Sequence, residues 1–197
     1  CPISRRRLAK PRVAMRRPKA IQSTTITQRA SPAWGHAMIA ARPLDPDTFR
    51  PYGAVIRAGN GSVKSIASGT VRLTRSEAAF DHDRVADTLV ADIYQVAPTA
   101  PPLLARSIER HRHSAQLFAP LSVSRWLVAV WPEGPRHAPE VFVAGPDEAV
   151  LYRPGLWHHG IVALDVPAVF FSQMWRAETA SNAEFADLAE PASIGWP

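Results

Sequence analysis

From residue 54 onward the apolar residues come in short runs set apart by turn residues, which is the pattern of strands rather than helices. Runs at 54–57, 70–73, 89–96, 104–111, 125–131, 140–144, 149–152 and 168–175 predict strands. Pro/Gly turns such as Pro132-Glu133-Gly134-Pro135 and Gly145-Pro146-Asp147 separate them. Asp45-Pro46-Asp47 opens a short helical turn that Arg50-Pro51-Tyr52-Gly53 closes, with an Asp cap at one end and a Pro stop at the other. A second helix is predicted over 181–188, where Ser181 can cap and Glu184 stands three residues on. Many short strands, regular turns and little helix predict a mainly β sandwich or jelly roll.

Composition narrows this further. The chain has 197 residues, 46% of them apolar and 20% charged, which suits one globular domain and excludes a disordered chain. Its longest apolar stretches, such as 126–131, fall far short of the roughly 20 residues a spanning helix needs, so no membrane partner is expected. The one cysteine, Cys1, can form neither an internal disulfide nor a thiolate metal cage, and a reducing, cytoplasmic compartment fits.

The formal charge of +6 belongs to one end of the chain. Residues 1–37 hold nine basic residues and no acid, leaving 14 Lys/Arg against 17 Asp/Glu in residues 38–197. Nucleic acid is therefore not the expected partner of the folded part. The basic segment lacks apolar periodicity and is broken by Pro11, Pro18 and Pro32, so it is expected to be unfolded. A transit-type leader or a polyphosphate-binding arm would look similar. We read 1–37 as lying upstream of the natural start, because Met38 stands just before the first patterned segment, and 38–197 as the domain.

The densest chemistry lies in Glu109-Arg110-His111-Arg112-His113-Ser114-Ala115-Gln116. On a strand, Glu109, His111 and His113 share one face while Arg110 and Arg112 take the other. Two imidazoles two residues apart can reach one divalent cation, and Gln116 beyond the bend can add an oxygen. A solvated edge strand would show the same alternation. A second cluster, Tyr152-Arg153-Pro154-Gly155-Leu156-Trp157-His158-His159, places a Pro-Gly turn ahead of paired histidines. These face opposite ways, and His158 is the one assigned to the pocket. Trp157 reads first as a core aromatic and His159 as a hydrogen-bonded structural histidine.

His-x-His-x-x-Gln followed by Pro-Gly-x-x-His resembles the two metal-binding motifs of the cupin superfamily. Three segments sharpen the likeness: Phe49-x-x-Tyr52-Gly53-x-Val55-Ile56, Glu109-Arg110-His111-x-x-x-x-Gln116-x-Phe118-x-Pro120-Leu121, and Tyr152-x-x-Gly155-x-Trp157-His158-His159. Together they resemble the ureidoglycolate lyase family, small cupins of allantoin and purine breakdown, from about Ala40 to Arg176. Arg112 and Gly160 stand where that family usually has proline, and 65–72 replaces its Asn-x-Gly stretch, departures that bear on the substrate more than on the fold.

The resemblance implies a cupin-type jelly-roll barrel, a homodimer, and cleavage of (S)-ureidoglycolate, a small ureido acid, to glyoxylate and urea. It also implies one divalent ion, nickel, manganese or zinc, on His111, His113, Gln116 and His158. Glu109, His111 and His158 would be the catalytic groups, with Arg72, Arg110, Tyr152 and Trp157 against the substrate. A metal-free pocket in which Arg110 or Arg72 pairs with the substrate carboxylate is the alternative. A noncatalytic small-molecule-binding cupin and a paralogue acting on a related ureido or hydroxy acid are the competing classes. No phosphate-binding Gly-rich loop or Gly-x-Ser-x-Gly elbow occurs, so nucleotide hydrolysis and serine-esterase chemistry lose support.

Overall fold

In a computed structural model the described residues are 37–178 and 181–197, so the expectations for the basic segment lie, but for Ala37, outside them. The chain opens with β1 (Ile39–Ala40) and β2 (Arg42–Pro43). Then comes α1 (Pro46–Phe49), where the Asp45 side chain accepts from the Thr48 amide at 2.9 Å, followed by a tight turn over Arg50–Tyr52. Gly53 ends that turn with φ 147, and a Cβ there would run into the Leu151 carbonyl, so glycine is required where β3 starts.

The remaining strands are β3 (Gly53–Ile56), β4 (Ser62–Ile66), β5 (Val71–Arg75), β6 (Thr88–Val96), β7 (Leu103–Arg110), β8 (Gln116–Ser122) and β9 (Arg125–Trp131). After them come β10 (Glu140–Ala144), β11 (Ala149–Tyr152), β12 (Trp157–His158), β13 (Val162–Leu164), β14 (Ala168–Arg176) and β15 (Glu184–Gly195). The mainly β barrel expected from the sequence is what forms, with α1 its one short α-helix among the described residues. One sheet runs β1-β15-β7-β12-β9-β10-β2, with β13 also on β9; the other runs β3-β11-β8-β14-β6; β4 and β5 form a separate hairpin. No described helix is long and apolar enough to cross a membrane.

Strand alternation sorts the core. On β9, Trp126, Val128 and Val130 enter the core between the sheets with Phe118, Phe142, Val150 and Phe170. Leu127, Ala129 and Trp131 join a second core on the sheet's other face, with Ile108, Leu188 and Ile194. Burial of such side chains, at about 1.5–3 kcal/mol each, is what holds the two sheets together.

Two expectations are corrected. Residues 184–188, predicted helical, belong to β15, which pairs with β7 from Glu184↔Arg110 to Asp187↔Ser107 and, past a bulge, from Ala192↔Ala105 to Ile194↔Leu103. A helix cap contributes about 1 kcal/mol; the ladder together with burial of Leu188, Ala192 and Ile194 outweighs it. β8 is not among the predicted strands; it carries Pro120, which lies beside an irregularity in the β8–β14 ladder that tolerates it.

Candidate active site

β7 and β12 bring the two sequence clusters together. His158 pairs with Glu109 of β7 on one side and Val130 of β9 on the other, so its ring shares the face of Val130 and enters the barrel. The preceding turn positions it. Gly155 has φ 76, which a glycine adopts without strain, and its amide donates to the His111 carbonyl at 2.7 Å. The turn that delivers His158 is thereby tied to the backbone of His111.

Glu109, His111 and His158 each offer a ligand atom, and these atoms lie within 4.8 Å of one another. His158 Nε2 is 3.7 Å from Glu109 Oε1 and 3.1 Å from Gln116 Oε1. His158 Nδ1 lies 3.0 Å from the Leu156 carbonyl, and His111 Nδ1 donates to the Asn182 carbonyl at 2.6 Å. A carbonyl only accepts, so Nδ1 of His111 is the donor and its Nε2 turns toward the cluster, whereas His158 has an oxygen acceptor at each nitrogen, the Leu156 carbonyl at Nδ1 and Gln116 Oε1 at Nε2. His111 Nε2 is buried with no partner. Burial, and secondarily the nearby His111 and His159, pushes the His158 imidazole down to about 3, so it is neutral at physiological pH. Two ring nitrogens and two side-chain oxygens, from His111, His158, Glu109 and Gln116, thus converge in a donor set of the kind that holds a divalent cation. The carbonyl partners behind both rings are the outer support such a ligand set requires.

Tyr152, at the end of β11, stacks on His158 with ring centroids 4.3 Å apart and planes 15° from parallel. Its hydroxyl is held protonated by burial and then by the charge of Glu109. The aromatic wall fixes the imidazole plane against the barrel interior.

Other candidates lie elsewhere. β7 ends at Arg110, so the alternation that would put His113 beside His111 stops short of it; His113 Nδ1 is instead 2.6 Å from Asp83 Oδ2, outside the cluster. Arg110 is on the opposite face from His158, 4.4 Å over the Trp157 ring and bonded through Nε and a terminal nitrogen to Glu184 Oε2 at 2.9 and 2.7 Å. Arg112 pairs with the same carboxylate. Trp157 packs against the second core, as its first reading had it. Arg72 is exposed on the β4–β5 hairpin, opposite Ser65. These three residues, Arg72, Arg110 and Trp157, are therefore not brought to the cluster as substrate contacts. A cleft of about 500 Å³ lined by Arg50, Asn60, Glu77, Asp81 and Arg153 also contains none of the cluster. Its arginines are already engaged, Arg50 by Asp47 and Arg153 by the Pro51 carbonyl, so the chemistry is assigned to the barrel interior.

Asn182 was missed by the sequence reading. Besides holding His111 through its carbonyl, its side chain accepts from the Ala177 amide at 2.7 Å and donates to the Ala177 carbonyl at 3.1 Å. A main-chain acceptor leaves no mark on side-chain chemistry, and the residue fell within the segment read as a helix.

The family model for ureidoglycolate lyase matches residues 36–194. A ureidoglycolate lyase of Rhizobium etli (strain CIAT 652) is 36% identical over 129 residues, covering 62% of this chain and 75% of that protein. One from Brucella abortus biovar 1 (strain 9-941) is 30% identical over 160 residues, covering 77% of this chain and 92% of that protein. Among solved structures, a dTDP sugar isomerase from Desulfovibrio desulfuricans G20 superposes with a TM-score of 0.40 at 17% identity, over 69% of this chain and 85% of that one.

Proposed function

Because this chain belongs to the ureidoglycolate lyase family, a family of carbon–nitrogen lyases, we infer that it cleaves (S)-ureidoglycolate and that Glu109, His111 and His158 form its reaction centre. The observation that carries the site assignment is the buried, partnerless Nε2 of His111 beside a carboxylate and a second buried imidazole.

The reaction balances without water. The hydroxyl on the central carbon loses its proton, its electron pair forms the aldehyde carbonyl of glyoxylate, and the C–N bond breaks toward the ureido nitrogen. That nitrogen takes up one proton and leaves as urea. One proton removed and one delivered means a single group can serve both ends. Glu109, partly exposed beside the two histidines, is suited to take the hydroxyl proton and return it to the nitrogen. His158 is neutral, so it serves as a ligand or a proton acceptor rather than as a stored imidazolium acid.

A divalent ion, nickel, manganese or zinc, fits Glu109, His111 and His158 with Gln116 beside them, and when bound it would supply Lewis-acid polarisation of the substrate hydroxyl. His113, engaged by Asp83, is left out of this set. Chelator dialysis followed by stoichiometric re-addition of the ion tests it: activity and one ion per chain should disappear and return together. Full activity after complete removal would assign the chemistry to a metal-free pocket.

A homodimer is part of this reading. Ile93, 61% exposed on the edge strand β6, pairs with Phe171 of β14, whose side chain packs on the outer apolar cluster of the five-stranded sheet. Such a face suits a second copy of the chain. A cytoplasmic location follows from the same reading, with its lone cysteine and no disulfide framework.

A further inference from the structure

We propose that Arg176 anchors the substrate carboxylate at the open end of the barrel, across from Glu109, His111 and His158. This rests on the ureidoglycolate reading, since that substrate carries a carboxylate on the carbon that reacts. The pocket already contains the Glu109 carboxylate, so a second anion entering it requires a fixed cation with paired donors. Arg72 and Arg110, the substrate contacts the family resemblance implies, lie on the hairpin and on the opposite face of the sheet.

β14 supplies another. Ala168, Phe170, Ser172 and Met174 form its buried inward row, and Arg176 is the next position in that row. Met174 pairs across the sheet with Gln116, whose oxygen meets His158 Nε2. Two further residues place Arg176 about 7 Å along the strand from that point.

Its direction is set by Asp92 of β6. Asp92 pairs with Ser172 in the ladder, which puts it on the same inward face, and its Oδ2 accepts from a terminal nitrogen of Arg176 at 3.1 Å. Tyr94, two residues on and 37% exposed, meets the buried Phe118 edge-on at 5.9 Å. Its hydroxyl is pushed up by burial first and then by the charges of Asp92 and Glu109, with Arg176 opposing. Asp92, Tyr94 and Arg176 therefore share the inward face of β6 and β14. A single bond to Asp92 leaves the other Arg176 donors without a partner among the described residues. The side chain is 45% exposed, so a ligand can reach it. Ala177, the next residue, is clamped by Asn182, whose carbonyl also holds His111, so anchor and reaction centre are fixed to one another through one asparagine.

The test compares wild type, Arg176→Gln and Arg176→Lys, matched for circular dichroism and melting temperature, in turnover of ureidoglycolate and in calorimetric titration with glycolate and its uncharged amide, glycolamide. Arg176→Gln should raise KM roughly 10- to 100-fold with a smaller change in kcat, and should erase the wild-type preference for glycolate over glycolamide. Arg176→Lys should recover part of both. An unchanged KM, or equal losses of affinity for glycolate and glycolamide, would overturn the proposal. If wild type turns over no ureidoglycolate, the substrate reading fails, and the titrations then decide the anchor alone: a glycolate preference that Arg176→Gln abolishes retains it, and no such preference removes it.

Discussion

The Nδ1 of His111 and the main-chain carbonyl of Asn182 are 2.6 Å apart, and this one hydrogen bond decides which nitrogen of His111 faces the pocket. The ring must give Nδ1–H to the carbonyl, so Nε2 is left as a bare lone pair in a buried space. Asn182 in turn is held by two bonds to the main chain of Ala177. Asn182 thereby ties the end of β14 to the imidazole of His111.

Asn182→Ala removes both bonds to Ala177 and loosens the carbonyl behind His111. Metal affinity should fall roughly 10- to 100-fold, the usual cost of losing an outer support, with the β-sheet circular dichroism intact. Isothermal titration with the divalent ion measures it. Unchanged affinity would mean that the β15 ladder alone places the carbonyl.

His158→Ala should reduce turnover by roughly 100- to 10,000-fold while the fold persists. Metal analysis of the purified variant separates two roles. A parallel loss of ion identifies a ligand; retained ion with an altered pH profile identifies an acid–base group. Wild-type turnover would make the residue structural and leave the chemistry to Glu109 and His111.

His113→Ala should retain metal content and turnover, because its ring is committed to Asp83 outside the cluster. Metal stoichiometry together with kcat/KM checks this. A loss of ion would return His113 to the ligand set that the motif resemblance implies.

Buried His158 also predicts a pH dependence of stability for the metal-free protein. Its folded value of about 3 lies below the ordinary 6.5, so between these the unfolded chain binds a proton that the folded chain does not. Stability must then rise with pH through that window, and fall as pH drops from about 6.5 toward 3. Melting temperatures of wild type and His158→Gln across this range should diverge in steepness, the variant being flatter. Parallel curves would show that His158 titrates normally in the fold.

What could be read from the sequence was what is local. The Pro-Gly turn ahead of His158 and the alternation along 125–131 depend on near neighbours, and both appear in the fold as expected. What required distant partners was not legible. The capping pattern at Ser181 and Glu184 is a sound local signal, yet Glu184 pairs with Arg110 across a ladder 74 residues away. His113 was placed by extending an alternation past Arg110, where the strand stops. Arg110 and Trp157 look like pocket residues by proximity in sequence, but adjacency on a strand puts them on the face opposite Glu109 and His158. Asn182 acts through its backbone, which no side-chain motif records.

The most direct measurement is incubation of the purified protein with racemic ureidoglycolate while glyoxylate, urea and ammonia are followed together. The lyase account predicts glyoxylate and urea in equal amounts, consumption of one enantiomer, and no ammonia. Ammonia release would indicate hydrolysis of the ureido group instead, and no consumption of either enantiomer by metal-replete protein would contradict the account outright.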